Sequence, residues 1–483
     1  MPTAIFWARG IKPHLAFLIL RSLLSWRYQL LSLGDSVICY PSTEENSPLT
    51  TYNRPSRVKN IGVAMITVVD PNLVGLSKDR LSRVSDWLDE LVASERVAGA
   101  SVLVGRFGKA AYFRAAGMAD REGGKAFSED TVVRIYSMTK PIVSVAAMML
   151  FEEGCFQLDH LVSDHLPEFS SQVVWQTGDV GNTKPVVQPM LIWHLLTHTS
   201  GLTYDFMNQN VVDAEYRAQG ITHPSAHKSL EGWVKALAEI PLISEPGTEW
   251  NYSVSTDVLG RLVEVWSGLS LEKFLTTRIF EPLGMRDTGF HVLEPNQAMF
   301  ASLYRPSVGP VMGDSAPPPL SARGGLKLLD AASTSEYREP ASIYSGGGGL
   351  VSSINDYSRF CQMLMNGGVF SGKRLLSPVT VEYMRTNHLP DGKDMAAMGQ
   401  PVWSETTYDG IGFGLGFAVV LDPIKAKMMT STGEHHWGGA ASTMFWLDPE
   451  KEMWVIFLTQ LMPSTTYPIR RELRTLVYQA IVK

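Results

Sequence analysis

Apolar residues recur every three or four positions across Lys78–Ala93, where Leu81, Val84, Trp87, Leu88 and Leu91 fall on one face, and this spacing predicts an amphipathic helix. The period then changes to two. Ser101–Phe107 and Ala110–Ala116 alternate as strands do and are separated by a tight turn at Gly108-Lys109. From Thr139 to about Arg385 the pattern is mainly helical with long loops, and Val292–Pro340, rich in Pro, Ser and Gly, reads as an excursion over the surface. Strand patterns return at Leu415–Leu421, Ser442–Leu447 and Met453–Thr459, and an amphipathic helix closes the chain from about Tyr467 to Ile481. Strands at both ends with helices between them predict an α+β fold. An antiparallel sheet is assembled from the two chain ends and flanked by helices, a mostly helical second lobe packs beside it, and the chemistry is expected in the cleft between. The expected division is 1–64 as an N-terminal extension, 65–138 with 405–483 as the sheet lobe, and 139–404 as the helical lobe.

Composition narrows the functional classes. The 483 residues are 45% apolar and 19% charged, enough for a large core. A net charge of −6 offers no basic field for nucleic acid. The richest apolar runs, Leu15–Leu20 and Ser144–Phe151, fall well short of the roughly 18 residues a membrane span needs. Cys39, Cys155 and Cys361 are too few and too scattered for a disulfide framework, and neither HExxH nor CxxC occurs, so no metal and no cofactor are expected. The first 64 residues differ from the rest. Met1–Gly34 carries Arg9, Lys12, Arg21 and Arg27 with no acid before Asp35, and Ser42–Arg57 is linker-like. A targeting segment, a disordered extension and a true start at Met65 all fit that composition. The body of the chain reads as cytoplasmic, with targeting left open, and a homo-oligomer is neither required nor excluded.

Three segments carry chemistry. In Ile135-Tyr136-Ser137-Met138-Thr139-Lys140-Pro141, a helix opening near Ser137 brings Ser137 and Lys140 to one face at i and i+3. A serine hydroxyl needs a neighbour to take its proton. A lysine can do so only as a neutral amine, which calls for an apolar wall such as Ile135, Met138, Ile142 and Val143. Ser-x-x-Lys also occurs at Ser56/Lys59, Ser225/Lys228 and Ser270/Lys273, but only Ser137 opens a strongly apolar helix directly after a strand-rich segment. In Pro246–Val254, a Pro-Gly turn leads to Tyr252, whose phenol can relay a proton if held near an ammonium. In Glu434–Ser442, Gly438 and Gly439 permit close backbone approach, and an N–H there can complete an oxyanion hole with that of Ser137. Neighbouring His435 and His436 point to opposite faces of a strand, which argues against a shared metal.

Together these segments resemble the serine β-lactamase and penicillin-binding-protein family, nearest its class C branch and the carboxylesterases (family VIII type) that share the fold. The resemblance spans roughly residues 76–482. Leu195–Gly201, Gly346–Ser352 and Gly414–Phe417 add family-like phrases. It implies that Ser137 is acylated, that Lys140 and Tyr252 share the proton transfers, that the N–H groups of Ser137 and Ala440 hold the oxyanion, and that Tyr136, Val254, Trp437, Gly438 and Gly439 meet the substrate. Two positions depart from the family pattern: Val254 stands where an asparagine is common, and Trp437 stands where a lysine faces the substrate carboxylate. A missing cation weakens binding of anionic substrates, by about 2–5 kcal/mol for a buried charge partner. The expected activity is therefore hydrolysis of small, uncharged carboxylic esters through an acyl-enzyme. An acyltransferase, a weak β-lactamase or D-alanyl peptidase, and a catalytically silent scaffold are the alternatives. A lipase-type site lacks its Gly-x-Ser-x-Gly.

Overall fold

The computed structural model describes residues 28–33, 36–41, 66–221, 227–314, 318–399 and 408–483. The strands near the two ends of the chain meet in one sheet. β1 (Gly99–Arg106), β2 (Lys109–Asp120) and β3 (Lys125–Ala126) come from the first part of the chain. β4 (Ile411–Phe413), β5 (Ala418–Val420), β6 (His435–Gly438), β7 (Met444–Asp448) and β8 (Met453–Thr459) come from the last. Their order across the sheet is β4-β5-β6-β7-β8-β1-β2-β3, antiparallel throughout. β8 and β1 pair from Met453↔Arg106 to Thr459↔Ala100, and that seam joins the two chain ends.

Both faces of the sheet are covered, and the alternation along each strand sorts its side chains between two cores. Ala100, Val102 and Val104 of β1, with Met453, Val455 and Phe457 of β8, pack against α1 (Lys78–Ala93) and a C-terminal helix. Leu103, Trp454, Ile456 and Leu458 face the other, larger core. At that core's centre is α2 (Thr139–Glu152), in which every residue from Thr139 to Leu150 is buried. A helix apolar on all sides is stable only inside a protein. α3 (Ser255–Ser267) packs against it, and α4 (Ile354–Met365) lies against β8. The C-terminal helix is α5 (Ile469–Tyr478).

Most element boundaries agree with the pattern, and the exceptions have local causes. The first hairpin turns at Phe107-Gly108, one residue earlier than expected, because both residues adopt positive φ (52° and 70°), the geometry of a two-residue hairpin turn. Leu415–Leu421 is not one strand. Gly416, at φ 93°, turns the chain so that only Ala418–Val420 pairs, with Ile411–Phe413. A Cβ on Gly416 would stand 2.3 Å from Ser144 Oγ, so a larger residue would collide with α2. The Val292–Pro340 excursion holds a strand pair, Leu303–Val308 with Gly324–Asp330. It is also partly interior, since Phe300, Leu303 and Tyr304 are buried. Arg134, fully buried, anchors it through an ion pair to Asp330 at 2.5 Å.

Residues 64–483 form one compact unit. In the other, Tyr28–Leu33 and Ser36–Pro41 form an antiparallel hairpin. The remaining positions to which the targeting, extension and linker expectations refer lie outside the described residues. No helix among the described residues is long and apolar enough to cross a membrane.

Candidate active site

Ser137 lies in a single tight turn, Tyr136–Met138, that leads into α2, which begins at Thr139 rather than at Ser137 as expected. Pro141 is the third residue of that helix, where a backbone N–H has no partner within the helix to lose. Tyr136 holds φ at 43°, a costly conformation for a bulky residue and one that tends to persist at functional sites. Its phenol is pushed up by burial.

Lys140, one turn on, is almost completely buried. Its Nζ donates to Gly347 O at 2.6 Å, to Tyr204 Oη at 2.8 Å and to Ser137 Oγ at 3.4 Å. Three donors with three acceptors is the full complement of an ammonium. Tyr252 approaches from the other side, with its Oη 2.5 Å from Ser137 Oγ. Lys140 Nζ lies 4.6 Å from the centre of the Tyr252 ring. That ring is packed by Tyr204 and His198, each at 5.2 Å, and by Trp437 at 5.5 Å. Ser137 and Lys140, read from one segment of the sequence, and Tyr252, read from another, thus meet at one point.

The surroundings hold specific charge states. Burial, with the nearby Lys140 charge adding to it, pushes the His198 imidazole well down, so the ring is neutral; it hydrogen-bonds Ser253 Oγ at 3.1 Å. Burial drives the Tyr204 phenol up, and Tyr252 and Asp257 push the same way. Asp257 is raised by burial, against the opposing pull of Lys140.

The Trp437-Gly438-Gly439-Ala440 segment runs off the end of β6 along the cleft. Both glycines are required by proximity. A Cβ on Gly439 would stand 2.3 Å from Ile135 O and 2.4 Å from Thr443 Oγ1, and one on Gly438 would stand 2.8 Å from Thr443 O. The strand end is therefore pressed against the segment that carries Ser137. Val254, buried, precedes α3 and also lines the cleft, as does Tyr136. The neighbouring Asn251 does not stand in for the missing amide, because its Nδ2 is spent on Leu202 O at 2.8 Å. The cleft encloses about 1190 Å³. Phe206, Met207, Ile221 and Trp233 form an apolar wall, and Leu303, Leu329 and Tyr337 of the excursion form another.

Among the other Ser-x-x-Lys pairs, Ser270 is a helix cap whose Oγ accepts from Lys273 N at 3.2 Å. Ser56, Lys59 and Ser225 lie outside the described residues. Tyr204, His198, Asp257 and Gly347 were not expected at the site from sequence. Two of the four, His198 and Gly347, sit in the family-like phrases, which were a usable signal.

A family model described as Beta-lactamase matches residues 84–479. The chain belongs to the Beta-lactamase family. Within it, the chain is similar to esterase EstB of Burkholderia gladioli, with 32% identity over 426 residues that cover 85% of this chain and 98% of the esterase. It is also similar to monacolin J acid methylbutanoyltransferase of Aspergillus terreus, with 29% identity covering 73% of this chain and 82% of the transferase. Among solved structures, EstCE1, a hydrolase with promiscuous acyltransferase activity, superposes with a TM-score of 0.68 at 27% identity, covering 83% of this chain and 99% of its own.

Proposed function

We propose that this Beta-lactamase-family protein is a serine carboxylesterase that forms an acyl-enzyme on Ser137. The observation that carries the reading is the meeting of the Tyr252 hydroxyl, at 2.5 Å, and the Lys140 ammonium, at 3.4 Å, on the Ser137 hydroxyl. In this mechanism Tyr252, as phenolate, takes the Ser137 proton while Oγ attacks the ester carbonyl carbon. Lys140 Nζ, 4.6 Å from the centre of the Tyr252 ring, sits beside the phenol where the proton moves. The carbonyl oxygen becomes an oxyanion held by the N–H groups of Ser137 and Ala440. The carbon–alkoxide bond then breaks and Tyr252 returns its proton to the departing alcohol. Water repeats the sequence in reverse to release the acid. With Gly347 O, Tyr204 Oη and Ser137 Oγ around its Nζ, Lys140 serves in this reading as the partner of Tyr252 in the shared proton transfers.

Trp437 and Val254 bring aromatic and aliphatic surface where a cation and an amide serve anionic substrates, so neutral esters are the proposed class. Short-chain esters are the minimal substrates. The cleft volume exceeds the range of about 300–1,000 Å³ typical of drug-sized ligands, so bulkier acyl or alcohol groups also fit. That spare volume favours a second reading, in which an alcohol replaces water and the acyl group is transferred, in keeping with the transferase and the promiscuous hydrolase it resembles.

The test is turnover of a chromogenic butyrate ester, with and without a serine-directed phosphonate, followed by peptide mass mapping of the adduct. Turnover blocked by an adduct on Ser137 supports the reading. Neither turnover nor adduct would mean a silent scaffold.

A further inference from the structure

Asp257 lies in the first turn of α3, five residues beyond Tyr252, and its carboxylate is buried with only 6% exposure. One oxygen accepts from Ser345 Oγ at 2.5 Å and from Gly347 N at 3.0 Å. Gly347 in turn gives its carbonyl to Lys140 Nζ at 2.6 Å. One residue is thus clamped by its N–H to a buried anion and by its C=O to a buried cation. Only glycine fits there: a Cβ would stand 2.2 Å from the second Asp257 oxygen and 2.9 Å from Tyr204 Oη. A buried carboxylate is costly unless it is hydrogen-bonded and charge-balanced, and Lys140 is the cation that pulls on this one.

Resting on the proposed esterase reading, we propose that Asp257 is a positioning residue for the reaction, acting through Gly347 to hold Lys140 against Ser137 and to balance its charge. Tyr252 and Asp257 belong to one continuous turn and helix start. The same piece of backbone therefore aims the phenol at Ser137 from one side and, through Gly347, the ammonium from the other. Lys140 Nζ contacts Ser137 at the longest of its three distances, so its location is set mainly by Gly347 and Tyr204 rather than by the nucleophile. The ionisable groups facing this cluster are Lys140, Tyr204, Tyr252 and His198, with Asp205 acting on Tyr204.

The experiment compares wild type with Asp257→Asn, which keeps the shape and one acceptor oxygen but removes the charge. The readouts are kcat and KM for a butyrate ester, the pH profile of kcat/KM, the rate of phosphonate labelling at Ser137, and Tm. The expected result is a loss in kcat and labelling rate of about a hundredfold, the scale of a misplaced catalytic group, with KM little changed. The pH profile should move to lower pH by about half a unit or more, because removing an anion eases deprotonation of the groups beside it. A merely structural role would lower Tm without moving the profile. Should Asp257→Asn fail to fold, Ser345→Ala removes a side-chain donor to the carboxylate and should lower kcat in the same direction by a smaller factor. A folded Asp257→Asn protein with wild-type labelling rate and an unmoved profile overturns the proposal. Absence of labelling in wild type overturns the esterase reading and this inference with it.

Discussion

Tyr252→Phe separates the two residues that could take the Ser137 proton. The substitution removes one oxygen and leaves a ring of the same shape, so its contacts with Tyr204, His198 and Trp437, all at 5.2–5.5 Å, persist. The loss in stability is therefore that of one hydrogen bond, about 1 kcal/mol, and Tm should fall by only a few degrees. The effect on rate should be far larger. The phenol oxygen is 2.5 Å from Ser137 Oγ, within range for direct proton transfer, whereas Lys140 Nζ is at 3.4 Å and has two nearer acceptors. General acid–base groups contribute about 10²–10⁴-fold. Tyr252→Phe should accordingly cost about 3–5 kcal/mol in the barrier to acylation. Stopped-flow release of a chromogenic alcohol reads acylation directly, and phosphonate labelling gives the same step without turnover. If acylation slows by less than about fivefold in a folded variant, the phenol is not the base, Lys140 is, and the inference from distances is wrong.

Three further outcomes follow from the geometry. Trp437→Lys should raise kcat/KM for an anionic β-lactam relative to a neutral butyrate ester by about tenfold or more, the scale of a restored charge partner, and an unmoved ratio would refute the proposed selectivity. Gly439→Ala must open a gap between Thr443 and the Ile135 carbonyl. It should slow labelling of Ser137 by about 10²-fold, as loss of an oxyanion donor does, with overpacking lowering stability by about 1–3 kcal/mol in thermal melts. Asp356 lies at the start of α4 and is pushed up to about 7 by burial first and by the neighbouring Asp287 charge second. Its native form holds a proton that the unfolded chain releases near pH 4, so it stabilises fully below about pH 4 and that contribution is lost as pH rises to about 7. The Tm of wild type minus that of Asp356→Asn should thus decline between those pH values, and a flat difference would show that Asp356 is ionised in the fold.

Local order could be read directly from the amino acids. Lys78–Ala93 begins and ends where its spacing indicated, with Ser77 capping it through a bond from Arg80 N at 3.3 Å. Met453–Thr459 is likewise a strand over its whole expected length. The pairing of Ser137 with Lys140 was visible because three residues make about one turn, so their proximity is a property of the backbone alone. Elements shorter than the period that would reveal them were not legible. β4 spans only Ile411–Phe413, so neither alternation nor length distinguishes it from loop. The surroundings of Lys140 were beyond any sequence pattern. Tyr204 lies 64 residues away and Gly347 lies 207 away, and each meets Nζ only through tertiary packing of separate loops. Spacing along the chain therefore determined the longer strands and helices and the pair Ser137/Lys140. Tertiary packing decided which acceptors surround the amine, which hydroxyl reaches the serine, and that a buried carboxylate stands behind both. Contacts of that kind depend on distances through space, which no local period records.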